Sequence, residues 1–301
     1  MKHQIPMDSA ARADHPDEDK ARHDGTQEVT PDLAYKRLMM VNVAFYGLPN
    51  AGDRNWVLID AALPGTAGAI AEAAAERFGR NARPAAIILT HGHIDHVGAL
   101  AHLAEQWDAP IYAHELETPY LNGTAAYPPP DPTVGNDIMP ALSVLFPRGP
   151  LDVSARLRTL PADGAVPGMP GWVWKHTPGH APGHVSLWRE SDKTLIAGDA
   201  FITTNQESAY AIATQKPEMH GPPMCFTPDW QSAKTSVETL AALEPEIAVT
   251  GHGRAMRGAE MRAALHTLAQ NFDQIAVPKH GRYVLHPARA EDGSAYVPAA
   301  K

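Results

Sequence analysis

Between Thr90 and His96 the chain reads Thr-His-Gly-His-Ile-Asp-His, immediately after the apolar run Ile87-Ile88-Leu89. Three imidazoles and one carboxylate crowd the start of a single loop. No other feature constrains the chain as much. Side chains alternate in an extended segment, so His91 and His93 project to one side and can grip one cation. Asp95 and His96, where the chain turns into a helix, can face another. Loops at the C-terminal ends of strands are also where α/β sheets keep their ligands. A polar loop rich in histidine by accident is the competing explanation, and four metal-type residues in this order make it a poor one.

Three further segments place such residues at predicted strand ends. Pro178-Gly179-His180-Ala181-Pro182-Gly183-His184 follows the run Trp172–Thr177, Gly198-Asp199 follows Thr194–Ala197, and Gly251-His252-Gly253 follows Glu246–Val249. Each is flanked by glycine, as a loop needs where backbone crowds a site. Each alone is weak, but with the first motif they point to one metal centre. Five imidazoles and two carboxylates without a thiolate suit zinc first, with iron, manganese or cobalt as alternatives. The lone cysteine, Cys225, excludes an intrachain disulfide and any multi-cysteine zinc site; it reads as a small buried hydrophobe.

The surrounding pattern is α/β. Apolar runs of strand length cover Leu38–Tyr46, Trp56–Ala61, Pro84–Thr90 and Pro110–Ala113, and helical patterns cover Thr66–Phe78 and Val97–Trp107. Thr227-Pro228-Asp229 predicts a helix start capped by the Thr227 hydroxyl, and Met261–Ile275 a closing amphipathic helix. This order predicts sheet layers with helices outside. Nine prolines from Pro110 to Pro150 mark a long irregular insertion. The segment Ala200–Phe226, with Phe201, Tyr210, Met219, His220, Met224, Cys225 and Phe226, is expected to wall a pocket. Residues 1–30 carry seven acids and four bases but few apolar side chains, and predict a mobile arm in which His3, His15 and His23 are solvated. The body is expected over 33–280 and a second tail over 281–301.

The set Asp60, His91-x-His93-x-Asp95-His96, His180, Asp199 and His252 resembles the metallo-β-lactamase superfamily, from about Leu38 to Leu268. The resemblance implies an αββα four-layer sandwich with a dinuclear centre at one edge of the two sheets. It implies His91, His93 and His180 on one metal, Asp95, His96 and His252 on the other, and Asp199 bridging. In the family pattern Thr-Pro-Gly-His-x-Pro-Gly-His the first histidine binds, which leaves His184 a supporting role. Asp60 matches an acid that hydrogen-bonds the ligand loop. The implied chemistry is hydrolysis: a metal-bridging hydroxide attacks the acyl carbon of an ester, lactone, thioester or amide, and Asp95 passes a proton to the leaving group.

Within the superfamily, Asp199 stands where many true β-lactamases place serine or cysteine, His93 stands where flavodiiron proteins place glutamate, and Ala200-Phe201-Ile202-Thr203 lacks the tyrosine that often follows the bridging acid in lactonases. A mononuclear iron-dependent oxidoreductase of the persulfide-dioxygenase type is the alternative. A non-catalytic metal-dependent binding protein is a third reading, disfavoured by the intact ligand set. The expected partner is a small-molecule acyl substrate, with the oligomeric state left open. A formal charge of −9 disfavours nucleic acid. The absence of any ~20-residue apolar run or N-terminal apolar leader predicts no membrane partner and a cytoplasmic location.

Overall fold

The structure, a computed structural model, describes residues 4–14, 25–134 and 141–299. Two mixed sheets pack face to face. The first runs β2 (Gln27–Thr30), β3 (Leu33–Leu38), β4 (Val41–Tyr46), β5 (Val57–Ile59), β6 (Ala86–Ile88), β7 (Ile111–Ala113), β9 (Leu157–Thr159), antiparallel up to β5 and parallel beyond it. The second runs β10 (Trp172–His176), β11 (Val185–Arg189), β12 (Thr194–Gly198), β14 (Ile247–Thr250), β15 (Met256–Arg257), with β12 and β14 parallel.

Period-2 alternation builds the layers. Val57, Ile59 and Ile88 face Val185, Ile196 and Val249 across the inter-sheet core. Their neighbours Leu58 and Ile87 face outward against the helices Ala67–Phe78 and Leu100–Trp107. Leu195 and Ala248 face outward against Trp230–Ala242 and Gly258–Gln270. The central strands β5, β6, β12 and β14 are therefore apolar on both faces, which explains why their runs read as continuous rather than alternating. The αββα sandwich expected from the sequence is present. The parallel strands end at one edge of both sheets, where the ligand-type loops emerge.

Several expectations need correction. The run Leu38–Tyr46 is not one strand: the chain reverses at Met39, whose φ is 60°, and pairs Leu33–Leu38 with Val41–Tyr46. Thr227 does not cap the following helix. Asp229 does, accepting from the Ser232 amide, while the Thr227 hydroxyl donates to the Pro223 carbonyl. The arm expected over 1–30 is docked wherever it is described. β1 (Ile5–Pro6) pairs with β13 (Glu218–Met219), the Ala13 amide donates to the Ala255 carbonyl, and buried Asp14 accepts from the Tyr35 hydroxyl and pairs with Arg254. Gln27–Thr30 is an edge strand of the first sheet. Backbone pairing and a buried ion pair hold this segment, and a tally of apolar residues does not register them. Residues 1–3 and 15–24 of the expected arm, with His3, His15 and His23, lie outside the described residues.

The tail expected over 281–301 is likewise part of the body up to residue 299. β16 (Val297–Pro298) pairs with β8 (Ala125–Ala126) of the proline-rich insertion, Ala295 is buried, and Arg289 pairs with Asp229. Among the described residues no helix is long and apolar enough to cross a membrane.

Candidate metal centre

Asp60 directly follows β5 and is held at φ 61°. Its carboxylate accepts from the Thr90 amide (2.8 Å) and the Thr90 hydroxyl (2.7 Å), pinning the start of the His-rich loop to the neighbouring strand. The same carboxylate accepts from Nδ1 of His96 at 2.9 Å. A carboxylate can only accept, so Nδ1 carries the proton and Nε2 turns its lone pair to the centre. His252 is fixed in the same way, with Nδ1 donating to the Met40 carbonyl at 2.7 Å and Nε2 facing Asp199 Oδ2 at 3.1 Å.

His180 and His184 separate cleanly. His184 Nε2 accepts from the Asp199 amide at 2.9 Å, and its Nδ1 donates to the Thr177 carbonyl at 3.1 Å. Both of its ring nitrogens are engaged behind the centre. His180 instead points Nε2 into it, 2.9 Å from His93 Nδ1 and 3.5 Å from Asp199 Oδ2. Three groups of donor atoms lie within 4.8 Å of one another: His91, His93 and His180; His91, His96 and Asp199; and Asp95, His96 and His252. All seven sequence-predicted ligand residues are thus brought together, with Asp60 and His184 bonded to the back of the cluster.

A cation fits this arrangement. His91 Nε2, His96 Nε2 and Asp199 Oδ1 are buried with no hydrogen-bond partner. A buried polar atom left unmade costs about 1–3 kcal/mol, so such atoms on three residues of one donor cluster mark a place built for a positive charge. The electrostatics agree. Burial holds His91 and His180 well below the ordinary histidine range, with help from neighbouring rings, and pushes His93 down to about 4. These are neutral imidazoles, the form that binds metal. Burial would also lower His96 and His252, but Asp199 foremost among the nearby carboxylates outweighs it and raises both. Asp199, pushed up by burial, is held well below the usual carboxylate range by His252 and His96. A dication would replace protons that these groups otherwise share.

The centre floors a cleft of about 900 Å³, open to solvent. Its walls are Pro128–Pro130 and Phe146 of the proline-rich insertion together with Phe226 and Tyr283, and among the described residues Arg148 is the one Lys or Arg on its lining. The segment Ala200–Phe226 walls the cleft through Gln206, Glu207, Pro223, Cys225 and Phe226, whereas Phe201, Met219 and Met224 sit in the core and Tyr210 is exposed. Sequence reasoning missed Glu117 and Tyr127, which brace the ligand loops from the proline-rich insertion, and nothing in their spacing signals it. It also missed Thr227, whose hydroxyl approaches His180 Nδ1 at 3.3 Å.

Residues 37–252 match the metallo-beta-lactamase superfamily. The chain belongs to that superfamily. It is 46% identical over 238 residues to the probable metallo-hydrolase YflN of Bacillus subtilis (strain 168), an alignment covering 79% of this chain and 90% of that one. The expectation of a metallo-hydrolase agrees with that relative's designation. Among solved structures, a beta-lactamase domain protein from Burkholderia ambifaria superposes with a TM-score of 0.60 at 19% identity, covering 86% of this chain and 80% of that one. A B3 metallo-beta-lactamase with an active-site glutamic acid does so at 0.56 and 21% identity, covering 83% and 88%. These two likenesses bear on the metallo-β-lactamase fold alone.

Proposed function

We propose that the chain is a dinuclear metal-dependent hydrolase acting on the acyl carbon of a small, largely apolar ester, lactone, thioester or amide. The observation that carries this reading is the position of Asp199 Oδ2. It lies 3.5 Å from His180 Nε2, 3.5 Å from His96 Nε2 and 3.1 Å from His252 Nε2, between two complete sets of donors. His91, His93 and His180 would hold one ion, Asp95, His96 and His252 the other, and Asp199 both. Zinc is the first choice for this nitrogen and oxygen set, with iron, manganese or cobalt as alternatives. Two divalent ions, when bound, supply an acidified water as nucleophile and a Lewis acid for the carbonyl.

The chain's own residues do the rest. Asp60 fixes the tautomer of His96, and His184 holds the backbone of Asp199. The proline and aromatic walls bind an apolar acyl body and exclude water from it. Asp95, partly exposed on the cleft floor, is placed to take up the proton that the attacking water gives up and to return it to the leaving group. A mononuclear oxidoreductase of the persulfide-dioxygenase type would leave the Asp95, His96 and His252 set without a role, so the dinuclear reading is preferred. The test is a panel of lactones, thioesters, β-lactams and phosphoesters assayed with an oxygen electrode in parallel. Acyl hydrolysis without oxygen uptake supports the proposal, and oxygen-consuming turnover with no hydrolysis overturns it.

A further inference from the structure

Glu117 is fully buried and, among the described residues, has no Lys, Arg or His ion-pair partner. It sits in the turn Glu115–Glu117 that follows β7, on the proline-rich insertion. Its Oε2 accepts from the Gly92 amide at 2.9 Å, and its Oε1 accepts from the Gly183 amide at 2.8 Å. Gly92 lies between His91 and His93, while Gly183 lies in the loop of His180. One carboxylate therefore ties together the two loops that carry the first ligand cluster. The Tyr127 hydroxyl donates to Oε2 and accepts from the Gly92 amide at 2.9 Å, and its ring lies 4.2 Å from that of His93.

The two glycines give an independent sign of this clamp. Neither has a positive φ, so backbone conformation does not require them. A Cβ on Gly92 would meet the Tyr127 hydroxyl at 2.8 Å, and a Cβ on Gly183 would meet the Cγ of Glu117 at 2.8 Å and its amide nitrogen at 2.9 Å. Both ligand loops lack a side chain where Glu117 and Tyr127 press against them.

We infer that Glu117, braced by Tyr127, is a positioning residue that sets the spacing of His91 and His93 from His180 and thereby the metal affinity of that cluster. This rests on the two-cluster reading above. Both oxygens of Glu117 accept from a backbone N–H, so Glu117→Gln must turn its NH₂ against one of them and push one loop away. Tyr127→Phe keeps both amide contacts of the carboxylate and should do less. Gly183→Ala wedges the same junction without altering the carboxylate.

The experiment is zinc binding by chelator competition on the full chain, resolving two steps. In Glu117→Gln one step should weaken roughly 10- to 100-fold, the scale seen when a residue supporting metal ligands is removed. The other step should stay close to its wild-type affinity. Gly183→Ala should reproduce the selective loss, and carries the test if Glu117→Gln does not fold. Wild-type affinity at both steps in a folded variant, or equal weakening of both with a lowered Tm, overturns the inference. Wild-type protein that binds only one zinc overturns the two-cluster reading itself, which is a separate failure.

Discussion

Replacing Asp60 by asparagine tests how the His96 lone pair is aimed. The carboxylate has three donors to satisfy: the Thr90 amide at Oδ1, and the Thr90 hydroxyl and His96 Nδ1 at Oδ2. An amide offers one oxygen and one NH₂, so two orientations compete. With the NH₂ at the Oδ2 position, His96 Nδ1 must become an acceptor. The ring proton then moves to Nε2, the atom that faces Asp199 and Asp95, and that lone pair is lost to the metal. With the NH₂ at the Oδ1 position, the tautomer survives but a buried donor faces the Thr90 amide, costing about 1–3 kcal/mol of stability.

The lost bond to a charged acceptor is itself worth about 1.5–3 kcal/mol, or roughly 10- to 100-fold in metal affinity. We expect the first orientation, because the Thr90 hydroxyl can rotate and accept from the new NH₂, which relieves its own contact. The assay is chelator competition together with ¹⁵N shifts of the His96 ring in the metal-free protein, at a pH alkaline enough to leave that ring neutral. Asp60→Asn should lose the second metal at that scale and show Nε2 protonated. A variant with wild-type affinity, unchanged stability and Nδ1 still protonated would refute the reasoning.

Other outcomes follow from the same geometry. His180→Ala should lose about one metal per chain, whereas His184→Ala should keep both and lose about 1–3 kcal/mol of stability through the orphaned Asp199 amide; metal analysis and denaturant titration decide, and the reverse pattern would exchange their roles. His184 is pushed down to about 3, chiefly by burial, so below the unfolded-state value near 6.5 the unfolded chain binds a proton that the folded chain refuses. Metal-free protein should therefore lose stability as pH falls from about 6.5, roughly 3 kcal/mol from His184 by about pH 4. Asp199, held low, acts in the same direction, and stability that is flat or rising on acidification would contradict this. Burial, aided by the charge of Glu207, raises the Cys225 thiol, so disulfide reagents should modify it in the native protein at least ~10-fold more slowly than in denaturant.

The centre was legible in the sequence because metal chemistry demands particular residue types, and strand ends deliver them at short, fixed offsets. His91 to His96 needs only alternation and one helical turn to be read. Even the choice of His180 over His184 has a physical basis that only the structure displays, namely the Asp199 amide that occupies His184 Nε2. What could not be read are contacts distant in sequence made by ordinary residues. Glu117 reaches Gly183 across 66 positions, and Asp14 reaches Arg254 across 240. The docking of residues 4–14 and 281–299 rests on backbone pairing and a few small buried side chains such as Ala13 and Ala295, which composition cannot distinguish from a solvated tail. Met39 and Thr227 were misread for a local reason: a hairpin reversal inside an apolar run and a hydroxyl two residues ahead of the true cap both mimic the regular pattern.

The central claim is that two metals share Asp199. Anomalous X-ray diffraction from metal-loaded crystals, collected on both sides of the metal absorption edge, tests it most directly. The account predicts two peaks, one within bonding distance of His91, His93 and His180 and one of Asp95, His96 and His252, with a carboxylate oxygen of Asp199 between them. A single fully occupied peak at either set, with the other set empty under excess metal, would contradict it.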